Sequence, residues 1–323
     1  MTLSRRNFLR DGAHALSAAS LLGMPAFASA AKPAAKASIA IQDVNGLALI
    51  TGAGCNVVAL GSPEGALLVD GGLAAHSAAL LKAVAAATNT QRVHTLINTH
   101  WHPEQTGSNE AVGKTGGTII SHEVTRLALG HRNRSALYEG NYGPLPEKAL
   151  PKVTTYNTGS LQFAGEQVDY RYLPAAHTNG DLFVHFPKHN VIAAGGPVTG
   201  GQWPVIDWLG GGFYHGFLRS YEILADVVKP DTVVIGTQGT LLKGSDIVRH
   251  KDIYWALFKQ FFTLFNKGFG PDDVVEFNRG KEFIGVTPVV ADRPLKGLIE
   301  EQGDPSLFLE YAYRSLQQAT LPY

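Results

Sequence analysis

Short apolar runs separated by glycine-rich or polar breaks dominate the first half of the chain. Residues 47–50, 56–60 and 66–69 are such runs, divided by Gly-containing turns, and they predict consecutive strands. Residues 77–87 break the rhythm: Ala and Leu prevail without Gly or Pro, which predicts a helix. Another apolar strand, 93–97, runs straight into Asn98-Thr99-His100-Trp101-His102, and the pattern then predicts a helix from 108 to 112, a strand over 117–121 and a helix over 123–129. Residues 132–156 contain Pro144, Pro146 and Pro151 among scattered glycines, so a long surface excursion is expected. Loops of that length inside a domain usually act as lids or binding loops. Strand patterns resume at 161–163, 167–172, 182–186 and 191–194, before a helix over 217–228 and a strand over 232–235. From residue 247 the pattern is mainly helical, over 247–266, 271–277 and 305–318; Tyr254, Trp255, Phe258, Phe261, Phe262 and Phe265 recur as a helix's apolar face. Strands first and mixed elements in both halves suit two stacked sheets with helices outside.

The N-terminus follows a different pattern. Ser4-Arg5-Arg6-Asn7-Phe8-Leu9 precedes a weakly apolar stretch, 13–28, that ends in Ala28-Ser29-Ala30, the small-x-small spacing a signal peptidase accepts. The arginine pair resembles a twin-arginine export signal, which implies the Tat export machinery as a partner, cleavage near Ala30 and a periplasmic location. A retained anchor is the alternative, but His14, Ser17, Ser20, Gly23 and Pro25 leave the stretch short of the ~20 strongly apolar residues a span needs. Residues 1–30 are thus expected to be the signal peptide and 31–38 a flexible mature terminus. Residues 39–323 are expected to form a single domain, with 247–323 as its mainly helical C-terminal part.

Composition narrows the partners. Formal net charge is zero and Lys and Arg form no cluster, so no nucleic-acid partner is expected. Cys55 is the one cysteine, which excludes an intrachain disulfide; it reads as a small buried residue and not a nucleophile. Export in the folded state would reconcile a lone thiol with an oxidising compartment.

The candidate chemistry follows the strand at 93–97. His100 and His102 are one residue apart, so both imidazoles can emerge on the same side of an extended segment. Neutral imidazole binds Zn²⁺ at ~2.0–2.1 Å, although His-x-His also arises by chance on polar loops. The whole run Ile97-Asn98-Thr99-His100-Trp101-His102-Pro103-Glu104-Gln105-Thr106-Gly107-Ser108-Asn109 resembles the metal-binding loop of the metallo-β-lactamase superfamily, Thr-His-x-His-x-Asp-His after a short apolar strand. Val69-Asp70-Gly71-Gly72 resembles the family's strand-end turn, and Ala176-His177-Thr178-Asn179-Gly180-Asp181 its next ligand segment. Ala194-Gly195-Gly196 with Trp203-Pro204-Val205-Ile206-Asp207, and Ile235-Gly236-Thr237-Gln238-Gly239-Thr240, are similar to the later site segments.

The resemblance implies an α+β fold, a four-layer αββα sandwich carrying a long inserted loop, with the site at one edge between the sheets. It keeps the first metal site, His100, His102 and His177, with Asp70 supporting the ligand loop from behind. The second site departs from the pattern: its Asp is Glu104, its first His is Gln105, its last His is Gln238, and the bridging Asp falls on Gly196. Gln competes poorly for zinc, so one ion is expected and not two, with other divalent metals open. The implied function is a mono-zinc hydrolase in which metal-activated water attacks an ester, lactone, thioester or amide-like small molecule. Glu104 would be the catalytic proton carrier, and Gln105 and Gln238 would contact substrate. The rival is a catalytically inactive family member that acts as a periplasmic binding or scaffold protein. Of the other histidines, His122 and His215 are candidates to approach the cleft, whereas His76, His94, His131, His189 and His250 are expected on surfaces or loops. Trp203, Trp208, Phe213 and Tyr214 would wall a pocket or pack in the core. Neither substrate nor oligomeric state has a signature in the sequence.

Overall fold

The side-chain period of two along the strands sorts apolar residues onto two faces, and two stacked sheets result. The computed structural model describes residues 38–278 and 293–318. The expected signal peptide at 1–30 and residues 31–37 of the expected flexible terminus lie outside the described residues. The first sheet has the order β1 (Ala40–Val44), β2 (Leu47–Thr51), β3 (Val57–Ser62), β4 (Gly65–Val69), β5 (Val93–Ile97), β6 (Thr118–His122), β7 (Val153–Thr155). It is antiparallel as far as β4 and parallel from β4 to β7. Between β4 and β5 lies α1 (Ser77–Thr88); α2 (Pro103–Thr106) and α3 (Asn109–Lys114) follow β5, and α4 (Glu123–Leu129) follows β6. The second sheet contains β8 (Thr158–Phe163), β9 (Glu166–Leu173), β10 (Asp181–Phe186), β11 (Val191–Gly200), β12 (Val233–Gly239) and β13 (Leu242–Lys243), in sequential order from one edge to the other. Its helices are α5 (Tyr214–Val227), α6 (Gly244–Asn266), α7 (Pro271–Asn278), α8 (Arg293–Gln302) and α9 (Ser306–Gln318).

Alternation along β4 shows how the layers form. Leu67 and Val69 join Ile97, Val184 and Phe186 in the core between the sheets, while Ala66 and Leu68 turn outward to pack on Leu80 and Val84 of α1. On the far side, Ile192 and Val234 of the second sheet pack against Phe217 of α5, Leu257 of α6 and Phe308 of α9. Helix, sheet, sheet, helix is therefore the layer order. The expected C-terminal helical part is present: Tyr254 and Phe261 are fully buried in this outer core, and Phe262 is exposed.

Three sequence expectations need correction. Residues 132–156 are not simply a surface excursion. Their end forms β7, paired in parallel with β6, Ser135 and Ala149 are buried, and Asn133 bridges Tyr142. His250 is not on a surface: it lies at helical spacing with Ile247, Ile253 and Tyr254 on the buried face of α6, and burial pushes its imidazole down to about 4. The short elements β1, β7, β13, α2 and α8 were not predicted. Cys55 is buried as expected: its thiol donates to the Glu104 carbonyl at 2.9 Å, and burial raises its pKa well above the usual range. Among the described residues, no helix is long and apolar enough to cross a membrane.

Candidate metal centre

Parallel β4 and β5 bring their C-terminal ends to one edge of the first sheet, and the ligand loop leaves from there. Asp70 follows β4 with a left-handed backbone (φ 66°), and its carboxylate accepts the Thr99 amide and the Thr99 hydroxyl, both at 2.8 Å. Asn98 and Asn109 exchange side-chain hydrogen bonds at 3.0 and 2.8 Å, closing residues 98–109 into a compact loop. The loop also joins the sheets, since Leu182 N donates to Thr99 O at 2.7 Å. Burial pushes the Asp70 carboxyl up to about 7, against the Thr99 hydrogen bonds that lower it.

His100, His102 and His177 meet at this edge. All three are buried, and their ligand atoms lie within 4.8 Å of one another, so they form a possible metal site. Hydrogen-bond partners fix each tautomer. The Thr99 hydroxyl donates to Asp70, so at 3.0 Å it accepts from His100 Nδ1. Val205 O can only accept, so at 2.5 Å it takes the proton of His177 Nδ1. Asp207 Oδ2 accepts from His102 Nε2 at 2.9 Å. The inward nitrogens, His100 Nε2, His102 Nδ1 and His177 Nε2, face one another. Two of them, on His102 and His177, stand 3.0 Å apart. Two lone pairs at that distance repel unless a proton or a metal ion lies between them. The residues thus fit a metal: three imidazoles converge, each oriented through its other nitrogen. Burial and the neighbouring imidazoles act on two of the rings. The pKa of His100 lies well below the usual range, and that of His177 is pushed down to about 4.

Asp207 was quoted within a family segment but given no role, and it proves central. Fully buried, it also accepts Ala136 N at 2.7 Å and Gly210 N at 3.0 Å through Oδ1, while its own amide donates to His177 O at 2.9 Å. Burial works to raise its pKa, but hydrogen bonds from His102, the Ala136 amide and Ser135 hold the carboxyl below its ordinary value. One residue therefore ties together two ligand segments and the loop at 132–142, His102 and Ala136 through its carboxylate and His177 through its amide.

The remaining predicted residues, Glu104, Gln105, Gly196 and Gln238, line the same cleft of ≈ 500 Å³ as the three histidines. Glu104 Oε2 accepts from the Tyr138 hydroxyl at 2.6 Å; burial, then Glu104, push the Tyr138 pKa up, so the phenol stays protonated. Gln105 Nε2 donates to Thr237 Oγ1 at 2.9 Å. Gln238 is exposed and held only by contacts of 3.3 Å to Gln202 and Gly54. At Gly196 a Cβ would lie 2.7 Å from His177 Cγ, so the histidine ring occupies the space a side chain would need. Tyr138 had no individual signal, although its segment read as a lid or binding loop. Of the aromatic candidates, Trp203 lines the cleft, while Tyr214 is fully buried in the outer core and Trp208 and Phe213 are not among the cleft residues. His122 stacks on Tyr172, 4.2 Å between centroids, and His215 packs near Trp255; neither reaches the cleft.

The C-terminal helices brace this arrangement. Tyr311 of α9 donates to Ala136 O at 3.0 Å, Trp203 Nε1 donates to Gly303 O at 2.8 Å, and Phe308 stacks on Trp203 at 5.2 Å.

Comparison with known proteins agrees with this geometry. Residues 50–237, more than half the chain, match the family model of the metallo-beta-lactamase superfamily. Among curated proteins no sequence matches. Solved structures of similar fold include a metallo-beta-lactamase from Pontibacter korlensis, 19% identical, TM-score 0.51, covering 67% of this chain and 93% of that one. DIM-1 metallo-beta-lactamase is 17% identical with a TM-score of 0.54, over 68% of this chain and 98% of its own. Metallo-beta-lactamase IND-7 is 16% identical with a TM-score of 0.54, over 67% and 98%.

Proposed function

The chain belongs to the metallo-beta-lactamase superfamily, and from that premise we propose that it is a mono-zinc hydrolase of a small ester, lactone, thioester or amide-like compound. The observation that carries the reading is the set of three convergent imidazole nitrogens, each ring held through its opposite nitrogen by Thr99, Asp207 or Val205. A divalent metal held there supplies Lewis acidity and brings the pKa of water toward 7. The protein's own groups do the rest. Glu104 holds Oε2 on the Tyr138 hydroxyl, which leaves Oε1 without a partner among the described residues. Oε1 receives the proton from the attacking water and returns it to the leaving group, in the role of a general base and then acid. Trp203 and Leu137 supply the apolar surface of the cleft. A purely binding role for the same cleft is disfavoured by the care with which all three rings are oriented, since a scaffold has no use for it.

A panel of chromogenic esters, thioesters and lactones tests the reading. Zinc-loaded protein should turn over at least one member, and both Glu104→Gln and His102→Ala should abolish that turnover. Turnover that survives either change would exclude this assignment of roles. For location, Ser4-Arg5-Arg6-Asn7-Phe8-Leu9 supports export to the periplasm through the Tat machinery. Replacing Arg5 and Arg6 by Lys should leave the protein in the cytoplasm, and unchanged export would refute the route.

A further inference from the structure

Besides the histidines, the cleft is lined by amides and hydroxyls: Gln105, Gln202, Gln238, Thr199 and Thr237. Among the described residues that line the cleft, none is Lys or Arg, and the one carboxylate is that of Glu104. Gln202 and Gln238 are exposed, share a 3.3 Å contact, and are otherwise lightly held, with Gln238 Nε2 3.3 Å from Gly54 O. Contacts of that length are weak, so both amides can turn toward a ligand at little cost. Each offers a donor and an acceptor, which suits hydroxyl, carbonyl and amide groups. A carboxylate or phosphate against this wall would find no counter-ion and would share the cleft with Glu104, and such like-charge placement suppresses binding. A divalent ion would be held by the histidines, beside the scissile group, and Asp207 behind His102 would offset part of its charge.

We propose that this cleft selects acyl compounds whose end distal to the scissile bond is uncharged and polar, and that Gln202 and Gln238 set the selection. Neutral hydroxylated or amide-bearing esters, lactones and thioesters fit; compounds that present a carboxylate or phosphate to that wall do not. The inference rests on the hydrolase reading, because it takes the histidine end as the place of the scissile group.

Mercaptoacetamide and mercaptoacetate test it by binding alone. They share a metal-seeking thiol and differ in an amide against a carboxylate. Calorimetry on the zinc-loaded full chain should show the amide bound at least tenfold more tightly. In Gln202→Lys and in Gln238→Lys that preference should fall by at least tenfold, a comparison in which the different acidities of the two thiols cancel. Equal or reversed affinities in the unaltered protein, or a preference unchanged in both variants, would overturn the selection and leave the hydrolase reading intact. Elemental analysis of the same sample separates the two ideas: zinc absent after loading removes the hydrolase reading, and this inference with it.

Discussion

Within one cleft, the histidine half and the amide half of the site are held in opposite ways. Every ligand ring is buried and anchored through its outer nitrogen, at 3.0 Å to Thr99, 2.9 Å to Asp207 and 2.5 Å to Val205. The other half has Gln238 exposed on 3.3 Å contacts, Gln105 committed to Thr237, and at Gly196 no side chain. A metal site that had merely decayed would retain room for what it lost. Here the His177 ring fills the space a Cβ at Gly196 would take. The second half is thus no vacant metal site, and under the proposed function it is the substrate wall beside the histidines. On the proposed function, rigid, fully partnered groups sit where a metal would be held, and adjustable neutral groups sit where a substrate would be accepted.

Substitutions that exchange the character of the two halves test this contrast. Gly196→Asp should have the largest effect: it restores the family's carboxylate position, yet it collides with His177. Thermal unfolding should show a loss of about 1–3 kcal/mol, typical of overpacking, and elemental analysis should show metal lost and none gained. Two bound ions in that variant would break the comparison. Asp207→Asn should weaken metal binding by roughly 10–100-fold, the usual effect of removing an orienting partner, as read by competition with a chromophoric chelator. Tyr138→Phe should lower turnover by roughly tenfold through the lost hydrogen bond to Glu104, with metal content unchanged; a parallel fall in metal would assign Tyr138 to the histidine half instead. Tyr311→Phe should be mildest, costing about 1 kcal/mol of stability, and chiefly raising KM as the Ala136–Tyr138 segment loosens.

Much of this was legible in the sequence where the signal is local. The strand at 93–97 and the helix at 123–129 appear with the predicted limits, because apolar periodicity and breakers lie within a few residues of each other. The strand-to-His-x-His junction was readable for the same reason, and the αββα order followed from the resemblance it carried. What escaped depends on contacts between distant segments. Asp207 acts through His102, 105 positions away, and Tyr138 through Glu104, 34 away; the family-like segment holding Asp207 assigns it no role, and Tyr138 has no motif. β7 exists because β6 offers it an edge, and its own sequence, Val153-Thr154-Thr155, is too short to announce a strand. Gly196 reads in the sequence as the position of a missing ligand, and only the fold adds that the His177 ring crowds it.

Metal stoichiometry tests the central claim most directly. Elemental mass spectrometry on the purified protein, after incubation with excess zinc and desalting, should find about one zinc per chain, and a His100→Ala/His102→Ala variant should hold none. Two zinc ions per chain, or none in the unaltered protein, would contradict the account of one metal-holding half and one substrate wall.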